Sequence, residues 1–244
     1  MTVRNLDEFN NELRILLNDK PAWNDILRYG RKMLSELVLN KDCMQKVLSD
    51  MVLDSSFVKS QLYCIDPNEI QIYRSPDNLF SIRAYIWDPN EVYPIHDHGA
   101  WGIIGTYLNE IKERKFTRID DRAKENYAEV RQIGETILSP GKTTYVLPVD
   151  EGIHQMQALN NRTAISIHVY GAPRRKGFIR YFNSDNNSVE NVYSPIFKKK
   201  LFAIKVLGSI KESWSEDVLS TAINTSEHEF IRKACIDSIN KLRE

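Results

Sequence analysis

From residue 70 to residue 181 the chain is a succession of short runs rich in β-branched and aromatic residues. The runs cover 70–73, 79–87, 103–108, 112–117, 128–133, 143–147, 155–158, 163–170 and 178–181. Between them stand turn-forming residues, as in Ser139-Pro140-Gly141-Lys142 and Pro148-Val149-Asp150-Glu151-Gly152. Such residues supply the backbone angles of turns. Many short strands at this spacing predict an all-β sandwich or barrel. With 244 residues the chain can bury a large core and carry an appendage as well.

The flanks follow a different period. Leu6, Phe9, Leu13, Leu16 and Leu17 fall at helical spacing, and Pro21 marks a break. Ile26, Leu27, Met33, Leu34, Leu37 and Val38 predict a second helix, and Val47, Leu48, Met51 and Val52 a third. After Ser194-Pro195 the helical period returns, with Phe197, Leu201, Ile204, Leu207 and Ile210, then Val218, Leu219, Ala222 and Ile223. Phe230, Ile231, Ala234, Cys235, Ile236 and Ile239 complete it, and Ser226 before Glu229 predicts a capping box at the start of the last helix. The expected division is a helical segment over 1–64 packed on the barrel, a barrel over 65–190, and a helical tail over 191–244. The tail resembles a HEAT-like pair loosely, and is read as a docked appendage or as a contact for a homodimer or a partner protein.

Charge excludes some functions. Lysine and arginine number 33 against 33 acidic residues, so no net charge draws the chain to nucleic acid or to an anionic membrane. No apolar stretch reaches the roughly 18 residues of a membrane span, and the N-terminus shows no signal-peptide core. Cys43, Cys64 and Cys235 are odd in number and widely spaced, against a disulfide framework or a cysteine zinc site. The expectation is a reduced, cytoplasmic, globular protein.

Chemistry concentrates in Pro94-Ile95-His96-Asp97-His98-Gly99-Ala100-Trp101-Gly102, placed after a turn at Pro89-Asn90. On a strand, side chains alternate with period two, so His96 and His98 share a face and Asp97 points away. The sequence holds five histidines, and His154, in a glycine-turn context after Gly152, is the candidate third ligand of a metal ion. Ser166, His168 and Tyr170 alternate on another strand and share a face, while Ile165, Ile167 and Val169 occupy the other. His228 has no partner in sequence and is read as a solvent-facing helix residue.

The stretches Pro94–Gly105 and Ala164–Gly171 resemble the motifs of the cupin superfamily, small double-stranded β-helix barrels of jelly-roll-like form. Within it, the chain resembles the thiol dioxygenases of the cysteine dioxygenase type, most closely the mercaptopropionate dioxygenase branch. The resemblance covers about residues 65–180. Ordinary cupins follow the histidine pair with a glutamate ligand; here Gly99, Ala100, Trp101, Gly102 and Ile103 follow, as in the thiol dioxygenases. The resemblance implies Fe(II) on His96, His98 and His154, with three positions open for a thiol and O2. Three neutral ligands leave the ion its full charge, which favours a bound thiolate. The product would be a sulfinate.

The same resemblance makes Ser166, His168 and Tyr170 an outer relay that ends with the tyrosine hydroxyl near the substrate. No cysteine lies between His98 and Leu108, so no Cys–Tyr cross-link to Tyr170 is expected. The family's carboxylate-binding arginine or glutamine falls in Ile70-Gln71-Ile72-Tyr73-Arg74, which leaves Gln71 and Arg74 both open. On a regular strand Arg74 would face away from Gln71. Trp101 and Tyr93 are candidates for the pocket wall, with ordinary packing an equal alternative. Asn109 stands where many cupins place a turn glycine. The leading expectation is therefore an Fe(II) dioxygenase of a small carboxylated thiol such as mercaptopropionate or cysteine. The alternatives are a zinc-dependent cupin hydrolase or isomerase, and a metal or small-molecule sensor whose helical tail binds a partner.

Overall fold

The structure, a computed structural model, describes residues 3–89 and 91–243. Asn90, expected in the turn before the histidine pair, lies outside the described residues. The chain forms two compact units, Met1–Val192 and Tyr193–Glu244.

The first unit opens with α1 (Leu6–Asn18), α2 (Trp23–Asp25), a π-helical turn (Ile26–Gly30), α3 (Arg31–Val38), α4 (Gln45–Leu53) and α5 (Ser55–Ser60). A capping box starts α1: Asn5 Oδ1 accepts from Glu8 N–H at 2.9 Å, and Glu8 Oε2 accepts from Asn5 N–H at 3.1 Å. The strands are β1 (Glu69–Arg74), β2 (Phe80–Trp87), β3 (Ile95–His96), β4 (Gly102–Leu108), β5 (Ile111–Arg118) and β6 (Val130–Leu138). They continue with β7 (Thr143–Val146), β8 (Ile153–Ala158), β9 (Ala164–Gly171), β10 (Phe178–Asn183) and β11 (Ser188–Tyr193).

One sheet runs β1-β2-β9-β4-β7 and the other β11-β10-β3-β8-β5-β6. Apart from the β5–β6 hairpin, successive strands from β2 to β10 alternate between the two sheets. Chain that winds back and forth between two facing antiparallel sheets is a double-stranded β-helix, so the expected mainly β cupin barrel with flanking helices is the fold observed. Asn109, in the β4–β5 turn, takes φ 54°, a left-handed conformation that asparagine tolerates better than most residues.

The two faces of the first sheet pack against different partners. One face carries Phe80, Ile82, Ala84, Ile103, Ile165, Ile167 and Val169, which pack against Phe9, Leu13, Leu34 and Leu37 of the helices. Burying each large side chain there contributes about 1.5–3 kcal/mol. The other face looks into the barrel with Tyr85, Trp87, Ile104 and Tyr170. In β9 the period-two alternation thus sends its isoleucines to the helices and its polar residues inward.

The second unit consists of α6 (Pro195–Leu207), α7 (Ser213–Thr225) and α8 (Glu229–Leu242) around Ile204, Leu219, Ile231, Cys235 and Ile239. The capping box expected at Ser226 and Glu229 is not formed. The Ser226 hydroxyl accepts instead from His228 N–H at 3.2 Å, and His228 precedes α8 without a side-chain cap. His228 does not face solvent along a helix; its ring packs on Phe197 at 4.5 Å between centroids. Among the described residues no helix is long and apolar enough to cross a membrane.

Candidate metal centre

β3 is only two residues long, and its His96 lies directly opposite His154 of β8. His98 follows one pleat later. All three imidazoles are buried, and each offers a nitrogen within 4.8 Å of the others. His98 Nε2 lies 2.9 Å from His154 Nε2, which lies 3.2 Å from His96 Nε2. Among the described residues this is the only such cluster of histidine, cysteine or carboxylate groups.

Proton placement decides what this cluster can do. His96 Nδ1 is 3.0 Å from the Pro94 carbonyl, which only accepts, so Nδ1 carries the hydrogen. His154 Nδ1 likewise donates to Glu113 Oε1 at 2.9 Å. In a neutral imidazole with hydrogen on Nδ1, Nε2 is a bare lone pair. Two bare lone pairs 3.2 Å apart repel; a cation between them turns that repulsion into attraction. Metal–nitrogen bonds of roughly 2.0–2.1 Å at right angles would set the nitrogens about 3 Å apart. The donor set therefore fits a metal ion. Burial first, then the neighbouring histidines, holds His96 and His98 well below the usual imidazole range, in the neutral ligand form.

The surroundings fix these rings. Asp97 points the opposite way, as alternation requires, and is fully buried. It accepts from Arg175 Nη1 at 2.7 Å and from Nη2, and from Arg180 N–H at 2.8 Å. The Gly99 carbonyl accepts from Arg174 N–H at 2.7 Å and Arg175 N–H at 3.1 Å. A Cβ on Gly99 would sit 2.1 Å from the Arg175 carbonyl oxygen, so the close approach needs glycine. Val149 N–H donates to the His98 carbonyl at 2.7 Å, tying the loop before His154 to the pair.

Glu113 was not singled out by sequence. It is buried, and its Oε2 accepts from Thr144 Oγ1 at 2.7 Å. Burial pushes its carboxyl upward, but the hydrogen bonds from His154 and Thr144 and the charge of Lys115 outweigh this and hold it below the ordinary value. The signal available was alternation: Ile111 and Glu113 are the buried residues of their half of β5, and a carboxylate in a buried set needs a partner.

Ser166, His168 and Tyr170 line the barrel interior in one hydrogen-bonded row. His168 Nε2 is 2.7 Å from Ser166 Oγ, and His168 Nδ1 is 2.8 Å from Tyr170 Oη. Trp87, unnoticed in sequence, anchors the serine end of the row. Its Nε1–H only donates, and it reaches Ser166 Oγ at 2.8 Å. Ser166 thus joins Trp87 to His168, and His168 joins Ser166 to Tyr170. The Tyr170 ring lies 5.0 Å from that of His98, so the row ends beside the triad. Gly102 makes room for it, since a Cβ there would be 2.8 Å from the Tyr170 ring. Burial raises the Tyr170 phenol and lowers His168, so both stay neutral.

Gln71 and Arg74 come out on one face, against the regular-strand expectation. The register of β1 shifts between Gln71 and Tyr73, so Gln71 pairs with Arg83 and Arg74 with Ser81. Those partners lie opposite His168 and Tyr170 on β9, which makes the face the barrel-facing one. Arg74 Nη2 donates to Gln71 Oε1 at 3.3 Å, with Arg74 exposed. Trp101 is not brought to the histidines: its indole packs on Trp23 at 5.6 Å and covers Gly171 on the helix side. Tyr93 is. Its ring meets His96 edge-on at 4.8 Å, and its hydroxyl and that of Tyr181 both donate to Asp66.

No protein-family model matches the chain. Among solved structures it is similar to a DMSP lyase from a study of RdDddP and RnDddQII, at 14% identity over 47% of this chain and 52% of that one, TM-score 0.33. It is also similar to a cupin 2 conserved barrel domain protein from Rhodopseudomonas palustris, at 11% identity over 48% and 68%, TM-score 0.32. A third is an acetylacetone dioxygenase from Acinetobacter johnsonii, at 8% identity over 54% and 73%, TM-score 0.34. The chain spans about half the length of the first of these, 52%. The likeness concerns the barrel and assigns no activity.

Proposed function

We propose that this chain is a metal-dependent dioxygenase in which His96, His98 and His154 hold Fe(II), and that it converts a small carboxylated thiol to its sulfinate. The observation that carries the reading is the pairing of two features: imidazole nitrogens converging without a carboxylate among them, and a hydrogen-bonded row ending at Tyr170 beside them. Iron bound there would supply adjacent open positions at which a thiol and O2 react, both oxygen atoms ending on sulfur.

The chain's own residues do the rest. Glu113 and Pro94 hold the tautomers that present Nε2 inward. Ser166 and His168 position the Tyr170 hydroxyl next to His98. The aromatic walls of Tyr85, Trp87 and Tyr93 exclude water. Gln71 and Arg74, side by side on the barrel-facing edge, offer donors for a carboxylate. A zinc hydrolase would need a free base at the metal face, and Glu113 has both oxygens committed, to His154 and Thr144.

Metal analysis of purified protein, combined with oxygen uptake over a panel of thiols, tests the reading. Iron and one O2 consumed per thiol oxidised are expected. Zinc alone, or iron-loaded protein inert to every thiol, overturns it.

A further inference from the structure

Two exposed helix faces of the second unit carry opposite charges around matching apolar pairs. α6 holds four lysines and no carboxylate, whereas α7 holds Glu216 and Asp217 and no cation. On α6, Phe202 and Val206 stand one turn apart and are 61% and 59% exposed. Lys198, Lys199 and Lys205 lie three or four residues from Phe202 and are exposed with it. On α7, Trp214 and Val218 repeat that spacing and are 51% and 47% exposed. Asp217 follows Trp214 by three residues and Glu212 precedes the helix; both are exposed.

Neither face is used up inside the unit. Its core is built around Ile204, Leu219, Ile231, Cys235 and Ile239, and both apolar pairs lie outside that core. Glu216 is taken up by Arg243 after α8, and among the described residues no ion pair joins α6 to α7. A single exposed apolar side chain needs no explanation. Two pairs of equal spacing, each ringed by charge of one sign and each holding a large aromatic, have the composition of a surface that meets a partner.

We propose that the second unit pairs two copies of this chain, α6 of each lying against α7 of the other. A two-fold axis makes both contacts at once, because the combined surface is then its own complement. Phe202 and Val206 of one protomer cover Trp214 and Val218 of its partner, and the lysines around the first pair face Glu212 and Asp217 around the second. The occupant is a second copy because the chain itself supplies both halves of the fit, matched in spacing and opposite in sign. Overall charge does not oppose the pairing, since each chain balances 33 basic against 33 acidic residues. The pairing uses no residue of the metal centre and does not rest on the dioxygenase reading.

Sedimentation equilibrium of the full chain tests the pairing, on variants whose circular dichroism and melting match wild type. Wild type should associate to a dimer and no further. Phe202→Ala and Trp214→Ala should each weaken that dimer by about tenfold or more. Exchanging charge locates the contact. The triple variant Lys198→Glu/Lys199→Glu/Lys205→Glu makes both faces acidic, and Glu212→Lys/Asp217→Lys makes both basic. Each alone should weaken self-association by about tenfold or more, through like charges brought together. An equimolar mixture of the two should form a heterodimer within about threefold of the wild-type affinity, because both of its contacts then join opposite charges. A monomeric wild type, a species larger than a dimer, or a dimer unchanged by the alanine and charge variants overturns the proposal. So does a mixture of the two charge variants that stays monomeric.

Discussion

The barrel holds two rows of polar residues that differ in how complete they are. Ser166, His168 and Tyr170 lie along one strand, and each finds a hydrogen-bond partner in the next, with Trp87 behind them. His96, His98 and His154 come from two separate segments, have their outer nitrogens held at His96 and His154, and turn their inner nitrogens on one another. The first row is satisfied as it stands. The second is not, and a cation completes it. Equal burial therefore does not mean equal function: a satisfied network positions a group, whereas converging lone pairs bind one.

The largest expected difference between the two rows comes from truncating one member of each. His154→Ala should lower iron affinity by more than about 100-fold, beyond the loss typical of an outer partner, and abolish oxygen uptake. Tyr170→Phe should keep iron within about twofold by metal analysis while lowering kcat by about 100-fold. Equal metal loss in both variants would erase the distinction.

Glu113→Gln sharpens the boundary, because Glu113 touches the triad from outside. It should weaken iron binding by about 10- to 100-fold in a chelator competition; an unchanged affinity would make that carboxylate a packing residue.

Acid tests both rows together. Burial keeps His96, His98 and His168 below the value of 6.5 that an imidazole has when solvated. Below about pH 6.5 the unfolded chain takes up protons that the folded one refuses, so stability is full above that pH and falls as pH drops. Each histidine contributes a slope of about 1.4 kcal/mol per pH unit. Denaturant unfolding of metal-free protein between pH 7 and 5 should show this, and a flat profile would contradict it.

Trp87→Phe carries the smallest effect. Losing its N–H to Ser166 should cost about 1 kcal/mol of stability and lower turnover a few-fold with iron content unchanged. A fall in iron content would tie this row to the metal directly.

What could be read in the sequence follows from how local each feature is. The His96–His98 spacing and the Ser166–His168–Tyr170 alternation are properties of single strands, and period two places them without knowledge of the fold. β6 and β11 were harder. Most of β6 from Arg131 onward is exposed, so no buried alternation marks it beyond 133, and β11 is an edge strand found only once its hairpin partner β10 is known. Arg74 could not be placed because a bulge breaks the period on which its placement depends. The Ser226–Glu229 spacing fits a capping box, yet the chain enters α8 with His228 between Phe197 and Phe230, a packing choice the motif does not encode. Glu113 required knowing which strands face each other inside the barrel.

The most direct test of the account is iron K-edge X-ray absorption on the loaded protein, which counts the ligands around the metal. The account predicts a shell with three imidazoles per iron and no carboxylate or cysteine from the chain. A shell with fewer than three imidazoles, or one that includes a protein carboxylate or thiolate, would contradict it.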